Sequence, residues 1–145
     1  MVNSELNQDE ILEANRVVHS NLAISGEYEK SPHFLPENKQ RVLQILTELR
    51  GSLSYGGETR LLDMGCGTGF ILHLASPIFD KLHGIDITNE MMEKVDLSLG
   101  NIEISNCLAE STPFEDSSFD MVTAYSFLDH LADYTKVFEE AHRVL

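Results

Sequence analysis

Three glycines at alternate positions, Gly65, Gly67 and Gly69, follow the run Leu61-Leu62-Asp63-Met64 and precede the apolar stretch Phe70-Ile71-Leu72. An apolar run ending in a carboxylate, a glycine turn and a second apolar run read as strand, tight turn and helix. Glycine admits positive φ and lets the backbone come within contact distance of a ligand. A helix starting there presents free N–H groups and a positive dipole end to whatever rests on the turn. A nucleotide-like ligand with an anionic group is the expected occupant.

The spacing separates two classes of ligand. The dinucleotide fingerprint is G-x-G-x-x-G with an acidic residue about 20 positions further on. Here the third glycine is Gly69, and Phe70 stands where that fingerprint needs a glycine. Asp63, two residues before the first glycine, would repel a pyrophosphate and attract a cation. Both features weaken a dinucleotide reading.

Taken in order, Ile11, Leu12, Val17, Val18 and Leu22 recur at helical spacing and predict an amphipathic helix from about Gln8 to Ala23. Ser25 to Leu35 is a connector. Pro36 suits the first position of a second helix, with Val42, Leu43, Ile45, Leu46 and Leu49 on one face and a stop at Gly51. Ser52 to Thr59, containing Tyr55-Gly56-Gly57, is loop. Strands are expected at Arg60 to Met64, Lys81 to Asp86, Asn101 to Ser105 and Phe119 to Tyr125. The intervening helices end before Pro77, run from an N-cap at Thr88 through Val95, and start at a cap on Asp133 with Val137, Phe138, Ala141, Val144 and Leu145 sharing a face. This alternation predicts an α/β fold, a doubly wound sheet of parallel strands with helices on both faces.

Composition narrows the class. The 145 residues make one domain at most, with no apolar run long enough for a membrane span. The start Met1-Val2-Asn3-Ser4-Glu5 has neither the basic nor the apolar region of a secretory signal. Two cysteines, Cys66 and Cys107, are too few for a disulfide scaffold, so a reducing cytoplasm is expected. A formal charge of −14 argues against direct nucleic-acid binding and for a small-molecule or protein substrate. The histidines and cysteines lack metal-ligand spacing, so no metal is expected. Glu110, Glu115, Asp116 and Glu139-Glu140 read as solvated surface.

The segment from Asp63 to Gly69 resembles the first motif of class I S-adenosylmethionine-dependent methyltransferases, in the small-molecule, type-11-like group. The likeness extends through Asp86 at the end of the second strand, 21 positions after Gly65, through Leu108-Ala109-Glu110-Ser111-Thr112-Pro113-Phe114 and Ser118-Phe119-Asp120, to Tyr125-Ser126-Phe127-Leu128-Asp129-His130-Leu131 and His142-Arg143-Val144-Leu145. It covers about residues 36–145. It implies a Rossmann-like sheet of order 3-2-1-4, S-adenosyl-L-methionine as cofactor and S-adenosyl-L-homocysteine as product. Cofactor contacts are implied for Asp63, Gly65, Cys66, Gly67 and Gly69, for Asp86 on the ribose hydroxyls with Ile87 beside it, and for Ala109 and Glu110. Leu108 departs from the pattern, standing where many relatives carry an Asp for the adenine amino group.

Several assignments stay open on the residues alone. Asp63 either faces the cofactor or bonds the backbone N–H groups of the turn. Tyr125 and Ser126 face the expected crevice and would touch the methionine part or the acceptor. His130 is either a catalytic base or a residue that orients its loop, and Tyr28 is either a lid over the cofactor or a surface tyrosine. Residues 1–35 are expected to form a helical cap on a cofactor-binding domain of residues 36–145. Relatives continue beyond Arg-Val-Leu into further strands, so the chain reads as a fragment of a longer methyltransferase, or as a homodimer that covers the edge of the fourth strand. The expected function is methyl transfer to a small-molecule acceptor. A non-catalytic cofactor-binding module is the alternative, and a nicotinamide-dependent oxidoreductase a weaker one.

Overall fold

In the computed structural model of the chain, which describes residues 7–53, 56–131 and 133–145, Leu61, Leu62 and Met64 are sealed from solvent. Leu61 packs to one side of the first strand and Leu62 and Met64 to the other. A strand covered on both faces belongs in the middle of a parallel sheet. That strand, β1 (Arg60–Met64), lies between β2 (Lys81–Asp86) and β4 (Met121–Thr123), with β3 (Ile102–Asn106) outside β2. The order is β3-β2-β1-β4 and every pairing is parallel. The chain winds outward from β1 to β3 and then returns to the other side of β1. The reversal opens a crevice at the carboxyl ends of β1 and β4.

Among the described residues five α-helices accompany the sheet: α1 (Gln8–Ser25), α2 (Pro36–Ser52), α3 (Phe70–Ala75), α4 (Asn89–Met92) and α5 (Thr135–Val144). On one face Val42 and Leu46 of α2, Phe70, Ile71 and Leu72 of α3 and Met92 of α4 meet Leu61 and Ile102. On the other, Val137 and Val144 of α5 meet Leu62, Met64 and Ile85. Asn7 caps α1 reciprocally: its side chain accepts the Glu10 N–H at 3.0 Å while Glu10 accepts the Asn7 N–H at 2.8 Å. None of the described helices is long and apolar enough to cross a membrane.

The structure departs from the sequence expectation where side chains redirect the backbone. Strand β4 is three residues long, because Arg60 and Asp120 close its start, the Asp120 carboxylate accepting the Arg60 N–H at 2.8 Å. Its expected end at Tyr125 becomes a turn with Ser126 at φ +54°. Helix α4 stops at Met92, since Lys94 and Val95 bond three residues back, and the Thr88 side chain caps nothing. Tyr134, and not Asp133, occupies the N-cap of α5, although Asp133 accepts the Thr135 N–H at 2.8 Å. The inward face of α5 is Val137, Glu140 and Val144, while Phe138 and Leu145 are exposed. Glu140 is thus buried rather than solvated. Of the apolar face expected on α2, Val42 and Leu46 point inward and Leu43, Ile45 and Leu49 outward. In the loop between α2 and β1, Ser54 and Tyr55 lie outside the described residues, as do the first six residues of the 1–35 segment.

Candidate functional site

The glycine turn is held from below and from one side. The N–H groups of Gly65 and Cys66 both donate to the Ile85 carbonyl at 2.9 Å, anchoring the turn to β2. Gly65 takes φ +72°, and a Cβ there would stand 2.3 Å from the Phe127 ring. Gly67 takes φ +52°, with Tyr28 Oη and Met91 Cε each 3.2 Å from where its Cβ would be. Both positions therefore need glycine for conformation and for space. Asp86 closes the arrangement: Oδ2 accepts the Gly67 N–H at 2.9 Å and Oδ1 accepts the Thr88 N–H at 2.9 Å. A carboxylate has about four lone-pair sites, so two bonds leave it able to accept more.

Asp63 is sealed beneath the turn and accepts the Thr123 hydroxyl at 2.7 Å. The N–H groups of Gly65 and Cys66 go to Ile85, that of Gly67 to Asp86 and that of Gly69 to the Cys66 carbonyl, so the side chain that braces the loop is Asp86 and not Asp63. Burial pushes the Asp63 carboxyl up to about 7, against the opposing Thr123 bond and with a further push from the Asp86 charge. The same burial drives the Cys66 thiol well above its usual range. Tyr28 is pushed up to about 12, chiefly by burial and then by the charges of Asp86 and Asp63.

Above the turn lies a cavity of about 470 Å³, within the roughly 300–1,000 Å³ usual for small-molecule sites. Of the residues singled out in the sequence, Tyr28, Gly65, Gly67, Asp86, Ile87, Ala109, Glu110, Ser126 and His130 line it. Asp63, Cys66 and Tyr125 instead line a recess of about 10 Å³ under Tyr28 and Phe34. Gly69 caps α3 and lines neither. Tyr125 turns away from the main cavity, because its ring stacks on Phe70 at 5.4 Å and its hydroxyl accepts from Asn38 at 2.9 Å. Among the described residues no group of three or more His, Cys, Asp or Glu could hold a metal ion.

The cavity's outer wall comes from α1, which the glycine motif does not announce. Leu12, Asn15, His19 and Leu22 all line it, and their spacing of three, four and three is one helical stripe. Asn15 Nδ2 donates to the His130 carbonyl at 2.6 Å, tying α1 to the chain after β4. The His19 and His130 rings meet edge to face at 4.8 Å.

A sequence profile described as the methyltransferase domain matches residues 62–145. The chain belongs to the methyltransferase-domain family. It is 36% identical over 93 residues to the Bacillus subtilis methyltransferase YcgJ, covering 61% of this chain and 37% of that relative. The crystal structure of YcgJ superposes with a TM-score of 0.63 at 31% identity, over 73% of this chain and 46% of that one. Demethylmenaquinone methyltransferase of Oceanobacillus iheyensis is 36% identical over 97 residues, 61% of this chain and 40% of the relative. Haemonchus contortus phosphoethanolamine N-methyltransferase 2, solved with phosphomonomethylethanolamine and S-adenosylhomocysteine, shares the fold at a TM-score of 0.71 and 22% identity, over 99% of this chain and 34% of that one. The chain spans about two fifths of the length of these two curated relatives.

Proposed function

We propose that the chain is the cofactor-binding part of an S-adenosylmethionine-dependent methyltransferase acting on a small-molecule acceptor, with residues 1–35 as a cap over a body of residues 36–145. The observation that carries this reading is the pair of carboxylates, Asp63 and Asp86, at the ends of the adjacent strands β1 and β2 with the glycine turn between them. Two acids beside a phosphate-type loop suit a ligand with hydroxyls and positive charge and oppose a pyrophosphate. The bound cofactor supplies a methyl group already activated by its sulfonium.

The chain's residues supply alignment, which in favourable systems is worth up to roughly 7–11 kcal/mol. Asp86, holding Gly67 and Thr88, accepts the ribose hydroxyls through its remaining lone pairs. The backbone of Gly65 and Gly67 leaves room for the cofactor's spine, and Ile87, Ala109 and Glu110 border the base. Asp63 lies nearest the amino-acid end. The small recess there is closed by Tyr28 and Phe34, which stand edge to face at 5.7 Å, so the connector after α1 shifts when that end enters. Ser126 and His130 face the acceptor side.

Titration calorimetry with S-adenosylhomocysteine and, in parallel, NADH tests the reading. Saturable binding of the former, weakened in Asp86→Ala, supports it. Preference for NADH would replace it with the oxidoreductase reading. Cofactor binding without turnover, in a protein extended to the length of its relatives, would leave the non-catalytic module.

A further inference from the structure

The stripe of α1 that faces the cavity carries one side chain with a fixed protonation pattern. His19 Nδ1 lies 2.8 Å from the Asn15 carbonyl oxygen, one turn back on the same helix. A carbonyl only accepts, so Nδ1 holds the hydrogen and in the neutral ring Nε2 keeps its lone pair. Nε2 has no hydrogen-bond partner among the described residues and is not a sealed orphan. Asn15 thus sets the His19 tautomer through its carbonyl while its side chain holds the His130 segment against the same ring.

Several other polar groups in the cavity already have partners. Asp86 braces Gly67 and Thr88, Glu27 pairs with Lys30, Glu110 accepts from Gln8, and His33 Nε2 meets the Ser126 hydroxyl at 3.1 Å. Tyr28 stays protonated, with its hydroxyl pushed up to about 12 mainly by burial. Asp129 is exposed, and the His130 ring makes no hydrogen bond among the described residues that would fix which nitrogen carries the hydrogen, as Asn15 does for His19. The cavity that His19 lines is also bordered by Leu12, Leu22, Phe127 and Leu131, while the His19 ring itself meets Tyr28 and His130 edge to face.

We propose that His19 Nε2 takes the proton of an apolar acceptor carrying a hydroxyl group, an inference that rests on the methyl-transfer reading. In the step, the hydroxyl oxygen forms a bond to the methyl carbon as the carbon–sulfur bond breaks. That bond's electron pair stays on sulfur and neutralises the sulfonium. The hydroxyl proton moves to Nε2, giving an imidazolium that later returns it to water. The proton acceptor of this site is therefore His19 of α1, with Asn15 as its positioning residue.

The test uses protein loaded with S-adenosylhomocysteine and two probes, 1-naphthol and 1-methoxynaphthalene, which differ in the donor hydrogen. Imidazole nitrogen-15 spectra of the free protein should show His19 bearing hydrogen on Nδ1 and a bare Nε2. Naphthol should bind about tenfold tighter than its methyl ether, the effect of one hydrogen bond. That preference should vanish in His19→Phe and persist in His130→Phe. It should also fade on acidification at the pH where the spectra show Nε2 gaining its proton. A proton on Nε2, or a naphthol preference that survives His19→Phe, overturns the proposal; the first is read on the wild-type protein and does not depend on how well His19→Phe folds. Failure to bind S-adenosylhomocysteine at all would overturn the methyl-transfer reading, and the proposal with it.

Discussion

Asp86 Oδ2 accepts the backbone N–H of Gly67 at 2.9 Å, so the carboxylate at the end of β2, the proposed ribose acceptor, is a structural member of the glycine turn. Its other oxygen holds Thr88 at the start of α4. One side chain thereby sets the spacing between the two loops that border the cavity.

Asp86→Ala should therefore do two things at once. It orphans two backbone N–H groups at the cavity rim, each costing about 1–3 kcal/mol if water cannot reach it, and it removes the proposed ribose acceptor. Denaturant unfolding should show the loss of stability, and calorimetry the loss of S-adenosylhomocysteine binding. Asp86→Asn keeps one acceptor oxygen and should fall between Asp86→Ala and wild type in both measurements. Unaltered stability in Asp86→Ala would show that the brace is not needed.

Gly84, in the middle of β2, predicts a different kind of damage. A Cβ there would meet Leu72 Cδ1 at 2.6 Å and Cys66 Sγ at 2.8 Å, both buried. Overfilling such a site costs about 1–3 kcal/mol. Gly84→Ala should lower the unfolding free energy by that amount and, because Cys66 belongs to the glycine turn, weaken S-adenosylhomocysteine binding too. If stability drops while binding is untouched, the turn is not coupled to the packing behind it.

Strands β1 and β2 and the turn between them were readable because their signals are local. Arg60–Met64 and Lys81–Asp86 end where a carboxylate meets a loop, and Gly65, Gly67 and Gly69 can be spaced only one way on a chain. What escaped depends on partners distant in sequence. Glu140 read as surface because Thr112 lies 28 residues away. Tyr125 read as cavity-facing until Phe70 and Asn38 supplied a better-packed place for its ring and hydroxyl. The helix was visible from Ile11, Leu12, Val17, Val18 and Leu22, but only the docking of α1 shows that the stripe Leu12, Asn15, His19, Leu22 faces a cavity.

Glu140 makes the acid-sensitivity prediction. Oε1 accepts from the Thr112 N–H at 2.7 Å and from Arg143 Nη2 at 2.6 Å, and Oε2 accepts from Arg143 Nε at 2.9 Å. The Arg143 bonds first, then those from Thr112, hold the carboxyl down to about 2. A depressed folded value means stability that is present above the ordinary carboxylate range and lost as pH falls toward 2. Glu140→Gln should cost about 1.5–3 kcal/mol at neutral pH, the worth of a charge-assisted bond. It should lose less than wild type between pH 5 and pH 2, roughly the window of carboxylate protonation. Parallel acid-unfolding curves for the two proteins would rule this out.

Asp63 carries the opposite sign. Burial raises its carboxyl to about 7, well above the roughly 3.9 of an unfolded aspartate. Between those values the native chain binds more protons than the unfolded one, so this group makes stability fall as pH rises from about 4 to about 7, with the full penalty present above that. Asp63→Asn keeps an acceptor for Thr123 and cannot ionise, so its unfolding free energy should vary less over that range. A cation placed beside Asp63 favours the charged form. S-adenosylhomocysteine, with its ammonium at the amino-acid end, should therefore bind tighter as pH rises through about 7 and expel a proton when bound below it. Calorimetry in two buffers of different ionisation enthalpy counts that proton. Its absence in wild type, or its persistence in Asp63→Asn, would place the ammonium elsewhere and leave the buried acid as a cost to folding with no ligand to offset it.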